Sequence, residues 1–300
     1  MVAYFKVRAG DSSVYPITLD SAKAHLPRAH PFLMRKLSRN SEAWYAVCPY
    51  CETPIQLKSL MKSNETSPSP YGSHTGVQVA DWWFDEAAVQ ACPYRKPLSE
   101  TGASLREASP LDERIVAIAV NDFDHVVTVL REVYGVSFSQ ARAEEILDGW
   151  FTAKGYRYFR AHLRNIPWVI GFFGPSMNLF GQHILAGSNV DKAIRSHMPN
   201  VQFNAANQLE ASSKYYKIAL DLFGHVITAD DGTETMRLRV LDATKTVVPE
   251  SARWILDNNF TLEFQRFEYL RKDSIRRGRR SQALRVAARA IAAKHGFKVN

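Results

Sequence analysis

Three cysteines carry the most chemistry in this chain, and all three fall in one 45-residue window: Cys48, Cys51 and Cys92. Two of them open the same tripeptide, in Cys48-Pro49-Tyr50-Cys51 and again in Cys92-Pro93-Tyr94-Arg95. A Cys-x-x-Cys turn offers two thiolates to a metal, and Zn2+ takes such sulfurs in tetrahedral sets of four. The second copy has Arg95 where a fourth cysteine would stand, so the set needs a ligand from elsewhere. His74, in the run Tyr71-Gly72-Ser73-His74 between the two copies, is the candidate; His30, His25, Asp81 and Asp85 are the alternatives. The resulting pattern is Cys-x2-Cys-x22-His-x17-Cys.

Thiolate-rich sites are mostly structural, whereas catalytic zinc keeps an open position and a carboxylate base close by. No His-x-Glu of the deaminase type precedes Cys51. The expected cofactor is therefore one structural Zn2+. A redox reading competes with it, because the run Ala46–Cys51 resembles the active-site motif of glutaredoxins. That resemblance implies a thiol of lowered pKa at Cys48. The Thr-Val-Pro segment and Gly-Gly pair that should follow are missing, and Pro54 interrupts the helix the motif requires. Three cysteines do not make a disulfide framework, and the expected compartment is the reducing cytoplasm.

The elements that must position these residues follow from periodicity. Residues 1–9 and 13–19 read as strands around a turn at 9–12, and Glu42–Val47 as a strand that ends at Cys48. The Ser-, Pro- and Gly-rich stretch 63–76 reads as a loop, which places His74 on a loop. Asp85–Ala91 predicts one or two helical turns. Residues 96–110 read as a linker. From 111 the spacing becomes helical: Ile115, Ile118, Ala119 and Phe123 in one helix; Val126, Val127, Leu130 and Val133 in a second that ends at Gly135. Ala143, Ile146, Leu147 and Trp150 mark a third helix, capped by Ser137 or Ser139, and Tyr156–Asn165 a fourth. Residues 215–228 and 235–248 predict a β-hairpin, and 260–270 fits strand or helix.

The expected fold class is α+β: a zinc-ribbon-like module at 1–95, a linker at 96–110, a mainly helical domain with a β-hairpin at 111–270, and a basic helix at 271–300. The apolar run Ile166–Phe173 is too short to span a bilayer, so no membrane partner is expected.

Charge points to the far end of the chain. Net charge is +8, and residues 271–300 hold ten of the 38 Lys and Arg against one acid, Asp273. The rest of the chain is close to neutral. Such segregation suggests an anionic partner, most often nucleic acid. The candidate contacts are Arg271, Lys272, Arg276, Arg277, Arg279, Arg280, Arg285, Arg289 and Lys294. Arginine dominates, and its fork suits phosphate. From Ser281 the tail predicts a capped helix that stops at Gly296, with Leu284, Ala287, Ala288 and Ile291 as its apolar stripe.

No Gly-x4-Gly-Lys, Gly-x-Ser-x-Gly or His-Glu-x-x-His occurs. Asp122, Asp124 and His125 read as a helix cap and a solvated face, and His162, His183, His197 and His225 as isolated structural residues. The reading that results is a zinc-containing, non-catalytic nucleic-acid-binding protein. It would act as a regulator or as a subunit of a nucleoprotein complex, for example an RNA-guided defence complex contacting DNA, with other protein subunits as partners. The rivals are a nuclease and a protein-interaction scaffold.

Overall fold

The computed structural model describes residues 2–36, 41–61, 69–95, 102–210, 217–228, 232–243, 253–277 and 280–299, with backbone alone at 36, 41 and 273–277. It is an α+β structure. The N-terminal strand β1 (Tyr4–Phe5) pairs with β2 (Tyr15–Pro16), and helix α1 (Leu19–His25) follows, its first turn capped by the Thr18 hydroxyl. Next comes an antiparallel sheet of β3 (Leu33–Lys36), β4 (Ser41–Val47), β5 (Pro54–Lys58) and β6 (Tyr71–His74), in that order. Strand β4 therefore delivers Cys48, as its sequence predicts.

His74, however, sits on a strand and not on a loop. Strand β6 completes the sheet by pairing Ile55 with His74 and Leu57 with Gly72. Glycine is required at 72 because a Cβ there would lie 2.8 Å from the Ile55 Cδ1 and 3.2 Å from the Val2 Cβ. Ladder hydrogen bonds on β5 outweigh the turn-forming composition of this segment. Helix α2 (Glu86–Ala91) starts on Asp85, whose carboxylate accepts the Ala88 amide, and Cys92 is its C-cap.

The linker predicted at 96–110 lies partly outside the described residues. Its described part is held in place: Arg106 is half-buried, donates to Asp112 at 2.7 Å and to the Tyr156 carbonyl at 2.9 Å, and also reaches the Tyr158 and Ala161 carbonyls. Helix α3 (Pro110–Asn121) begins with a Ser109–Asp112 capping box and a proline in the first turn. Helix α4 (Phe123–Tyr134) ends at Gly135, which has the left-handed φ of 63°. A two-residue strand β7 (Val136–Ser137) leads to helix α5 (Gln140–Thr152), capped by Ser139.

The helix predicted over Tyr156–Asn165 does not form. A single 3-10 turn covers Gly155–Arg157, and the chain then runs irregularly to helix α6 (Ile166–Phe173). Tertiary partners take the backbone groups a helix would have used. Leu163 donates to the Tyr50 carbonyl, Phe159 donates to the Ser104 carbonyl, and the His162 amide donates to the Asn165 side chain. Helix α6 is the apolar run Ile166–Phe173; it lies in the core and contacts α4 and α5.

Short elements follow: β8 (Met177–Asn178), β9 (His183–Ile184), α7 (Asn189–His197), β10 (Gln202–Phe203) and β11 (Leu209–Glu210). The expected hairpin is present as β12 (Ile218–Ile227) and β13 (Glu234–Asp242), inside a larger sheet ordered β14-β13-β12-β8 with β14 spanning Trp254–Thr261. Residues 260–270 thus close a strand and open helix α8 (Phe264–Arg277), and helix α9 (Gln282–Lys294) follows. Ser281 caps α9 as predicted, and Leu284, Ala288 and Ala292 form its buried stripe. One contiguous apolar core runs from Val2 and Phe5 through Ile115 and Ile170 to Ala292. Among the described residues no helix is long and apolar enough to cross a membrane.

Candidate metal centre and basic segment

Strand β4 ends at Cys48 and the chain turns tightly. The Glu52 amide donates to the Cys48 carbonyl at 2.9 Å, and the Cys48 amide donates to the Thr53 carbonyl at 2.9 Å. Closing this turn puts Glu52 at the left-handed φ of 62°. The second tripeptide makes a matching turn in which the Arg95 amide donates to the Cys92 carbonyl at 3.1 Å. Arg95 itself points outward to Gln90. The ligand atoms of Cys48, Cys51, His74 and Cys92 lie within 4.8 Å of one another, so these four residues could hold a metal ion. Of the fourth-ligand candidates, His74 is the one brought to the thiols: its Nε2 is 3.3 Å from the Cys51 Sγ.

All three thiols are buried. Burial pushes the Cys48 and Cys92 thiols well above the usual cysteine range. Cys51 goes the other way: burial opposes its ionisation, but hydrogen bonds from Cys48, Cys92 and His74 outweigh it. The chain continues from Cys51 into strand β5 and not into a helix.

The repeated tyrosines explain why the tripeptide occurs twice. Tyr50 and Tyr94 stack face to face, with ring centroids 3.7 Å apart and planes 12° apart. His162 meets both rings edge-on. The Tyr94 hydroxyl donates to Glu234 at 2.6 Å and lies 2.8 Å from the Gly232 carbonyl. Each Cys-Pro-Tyr turn thus sends one ring into the part of the chain beyond residue 110. Glu52 adds a second tie: its carboxylate accepts from Lys6 at 2.9 Å, from the Gly10 amide at 2.8 Å, and from Arg114 of α3.

Sequence reading missed what lies behind the tyrosines. His162, His225, Asn165 and Tyr94 all converge on Glu234, at the start of β13. His162 Nε2 is 2.5 Å from one carboxylate oxygen and His225 Nε2 is 2.9 Å from the other. Burial opposes ionisation of Glu234, but its histidine partners hold the carboxyl far below the usual range. Burial lowers the His162 pKa. Both oxygens of Glu234 are occupied and its side chain is fully buried. No local spacing could have revealed it, since His162 and Glu234 are 72 residues apart.

Four arginines of the basic segment are turned inward, while Lys272, Lys294 and Lys298 are exposed. Arg271 donates to Asp122 at 2.8 Å. Arg280 donates to both oxygens of Asp124 at 2.8 Å and reaches Asp122 and the Asn121 carbonyl. Arg285 reaches the Asn121 carbonyl and Arg289 the Asn121 side chain. Lys294 and His295 meet Asp148 of α5, and Lys272 lies 3.4 Å from the Ser13 hydroxyl. The side chains of Arg276 and Arg277, and all of Arg279, lie outside the described residues. Asp122, Asp124 and His125 are consequently not a solvated face. Asp124 and His125 are buried, and the two aspartates anchor the C-terminal helices.

Compared with known proteins, the chain matches no family model, no curated protein and no solved structure.

Proposed function

We propose that the four-residue cluster holds a structural Zn2+ and that the protein is a non-catalytic binder of nucleic acid. The donor set carries the first half. Three thiolates and one imidazole suit zinc, and a tetrahedral site with Zn–S bonds of about 2.3 Å would place the sulfurs about 3.8 Å apart. This agrees with donor atoms that already lie within 4.8 Å of each other. All four positions of the tetrahedron go to protein, which leaves none for a water or a substrate. Zinc would fasten β4, β6 and the end of α2 together and so hold the paired tyrosines against Glu234. Metal analysis tests this: the wild type should carry one zinc per chain, and Cys92→Ser should lose most of it. A wild type without bound metal would sink the assignment.

Charge segregation carries the second half, with ten cations against one acid in residues 271–300. Because Arg271, Arg280, Arg285 and Arg289 already bond to Asp122, Asp124 and Asn121, the main contacts are best assigned to Arg276, Arg277 and Arg279, between α8 and α9 in sequence, with the exposed Lys272 and Lys294 as lesser contributors. Three or four phosphate contacts give an affinity that falls roughly 40- to 150-fold between 50 and 200 mM salt. Nine or more would give far more. Deleting the tail is the wrong control, since α9 supplies buried Leu284, Ala288 and Ala292. The triple variant Arg276→Gln, Arg277→Gln, Arg279→Gln preserves that packing and should abolish salt-sensitive oligonucleotide binding. A second reading is favoured by the inward pairing itself: the tail is a clasp, and the protein is an interaction subunit without nucleic acid. Equal, weak binding by wild type and triple variant would select it.

A further inference from the structure

A cleft of about 210 Å³ opens beside Tyr50, where β1, the turn before β13 and the start of α8 meet. Its walls include Tyr4, Tyr50, Arg164, Gly232, Leu262 and Phe264. Three of the lining rings surround one cation. The Arg164 guanidinium carbon lies 5.1 Å from the Tyr4 ring centroid, 5.5 Å from that of Tyr50 and 4.7 Å from that of Phe264. All three rings line the cleft, so the guanidinium itself, and not only its stem, stands at the cleft floor.

Hydrogen bonding leaves one nitrogen of that guanidinium over. The Arg164 side chain is only 3% exposed. Its Nε donates to Glu268 at 2.6 Å, and its Nη1 lies 3.4 Å from the Tyr50 hydroxyl. Nη2 has no partner among the described residues, and it is not one of the buried atoms closed off from solvent. A buried guanidinium with one nitrogen open at a cleft calls for an acceptor there. The Tyr50 hydroxyl accepts from Arg164 and so keeps its own proton to donate.

Charge and shape select the guest. Glu268 already balances Arg164, and the exposed Glu263 stands in the wall. An anion would meet these carboxylates, and a metal cation would meet the guanidinium, so the guest is neutral. The rings favour a flat aromatic molecule. The volume is below the roughly 300 Å³ at which pockets for drug-sized ligands begin, which admits one ring system. We propose that this cleft takes a single nucleobase bearing a carbonyl oxygen, which accepts from Arg164 while the base packs against Tyr4 and Phe264. Adenine alone among the common bases has no such oxygen. The proposal rests on the nucleic-acid reading only for the source of the base, a strand whose phosphates meet the basic segment.

The test uses the full chain as purified and the four free ribonucleosides, followed by saturation-transfer NMR. Nucleosides carry no phosphate, so Arg276, Arg277 and Arg279 do not contribute. Guanosine, cytidine and uridine should show saturable transfer to their base protons, with adenosine about tenfold weaker. Tyr4→Leu should weaken binding about tenfold by removing a stacking face. Tyr4 is half-buried, and its hydroxyl has no partner among the described residues to orphan, so thermal stability should hold. Arg164→Lys keeps a charge beside Glu268 but lacks Nη2, and should erase the discrimination against adenosine. If that variant does not fold, Tyr4→Leu and the wild-type ranking decide. No saturable transfer in wild type, equal affinity for adenosine, or wild-type affinity in folded Tyr4→Leu overturns the proposal. Nucleoside binding without oligonucleotide binding supports the cleft and rejects the nucleic-acid reading. Oligonucleotide binding that is lost in the Arg276, Arg277, Arg279 triple variant, with no nucleoside bound by wild type, overturns the cleft alone and leaves that reading in place.

Discussion

At the scale of single residues, the two tyrosines of the repeated tripeptide do the connecting. A Cys-Pro-Tyr turn would bind metal equally well with another residue in its third place. Tyrosine is used here because its ring stacks on its counterpart and, at Tyr94, its hydroxyl reaches a buried carboxylate. Removing only that hydroxyl separates the two roles. Tyr94→Phe keeps the stack but costs Glu234 one of its donors, and should lower unfolding free energy by about 1–3 kcal/mol. Zinc content should stay at the wild-type value. Denaturant unfolding together with metal analysis checks both halves; a fall in metal content would show that the hydroxyl shapes the metal site itself.

At the scale of elements, the C-terminal helices are fixed by an acid pair on the opposite side. Asp122 and Asp124 flank the start of α4, and between them they take Arg271 of α8 and Arg280, which lies just ahead of α9. The Asp124 carboxylate also accepts the Ser281 amide, so one side chain both neutralises Arg280 and ties down the start of α9. Asp124→Ala should therefore speed amide exchange across the first turns of α9 while leaving β3–β6 unaffected. A double-mutant cycle with Arg280→Ala should give a coupling of about 1–3 kcal/mol, because the pair is partly buried and doubly hydrogen-bonded. Independent, additive losses would show that α9 is held by its apolar stripe alone.

At the scale of the whole molecule, the cysteine–histidine cluster, the buried carboxylate and the main sheet form one connected structure. The chain runs from the Cys92 turn through Tyr94 to Glu234 and so into β13. Stripping the metal should accordingly raise amide exchange in β13, not only in β4–β6. Acid should act on the same connection. Glu234 and His162 both have folded-state pKa values below their unfolded ones. Their contribution is thus complete above the unfolded values, about 6.5 for His and 4.3 for Glu, and is lost as pH falls. Stability should decline from about pH 6.5 downward, and the decline should be shallower in His162→Gln. Urea midpoints measured across that range for both proteins check it.

What the sequence determined by itself is whatever short-range chemistry controls. The tripeptide repeat with Arg95 in place of a cysteine was enough to call for a further ligand and to put His74 ahead of His25, His30, Asp81 and Asp85, because ligand count and donor type are local properties of a metal site; the fold then brought His74 to the thiols. Helices α3, α4, α5 and α9 were legible because caps such as Ser139, Ser281 and Gly135 act on the adjacent turn. Tertiary structure alone decided three things. It made Tyr71–His74 a strand, since an open β5 edge supplies hydrogen bonds that a Ser- and Gly-rich composition does not anticipate. It denied a helix to 156–165, where Tyr50, Ser104 and Arg106 claim the backbone. And it turned Arg271, Arg280, Arg285 and Arg289 of the basic tail inward, because charge counting records how many arginines there are but not which side chains and carbonyls fold to meet them.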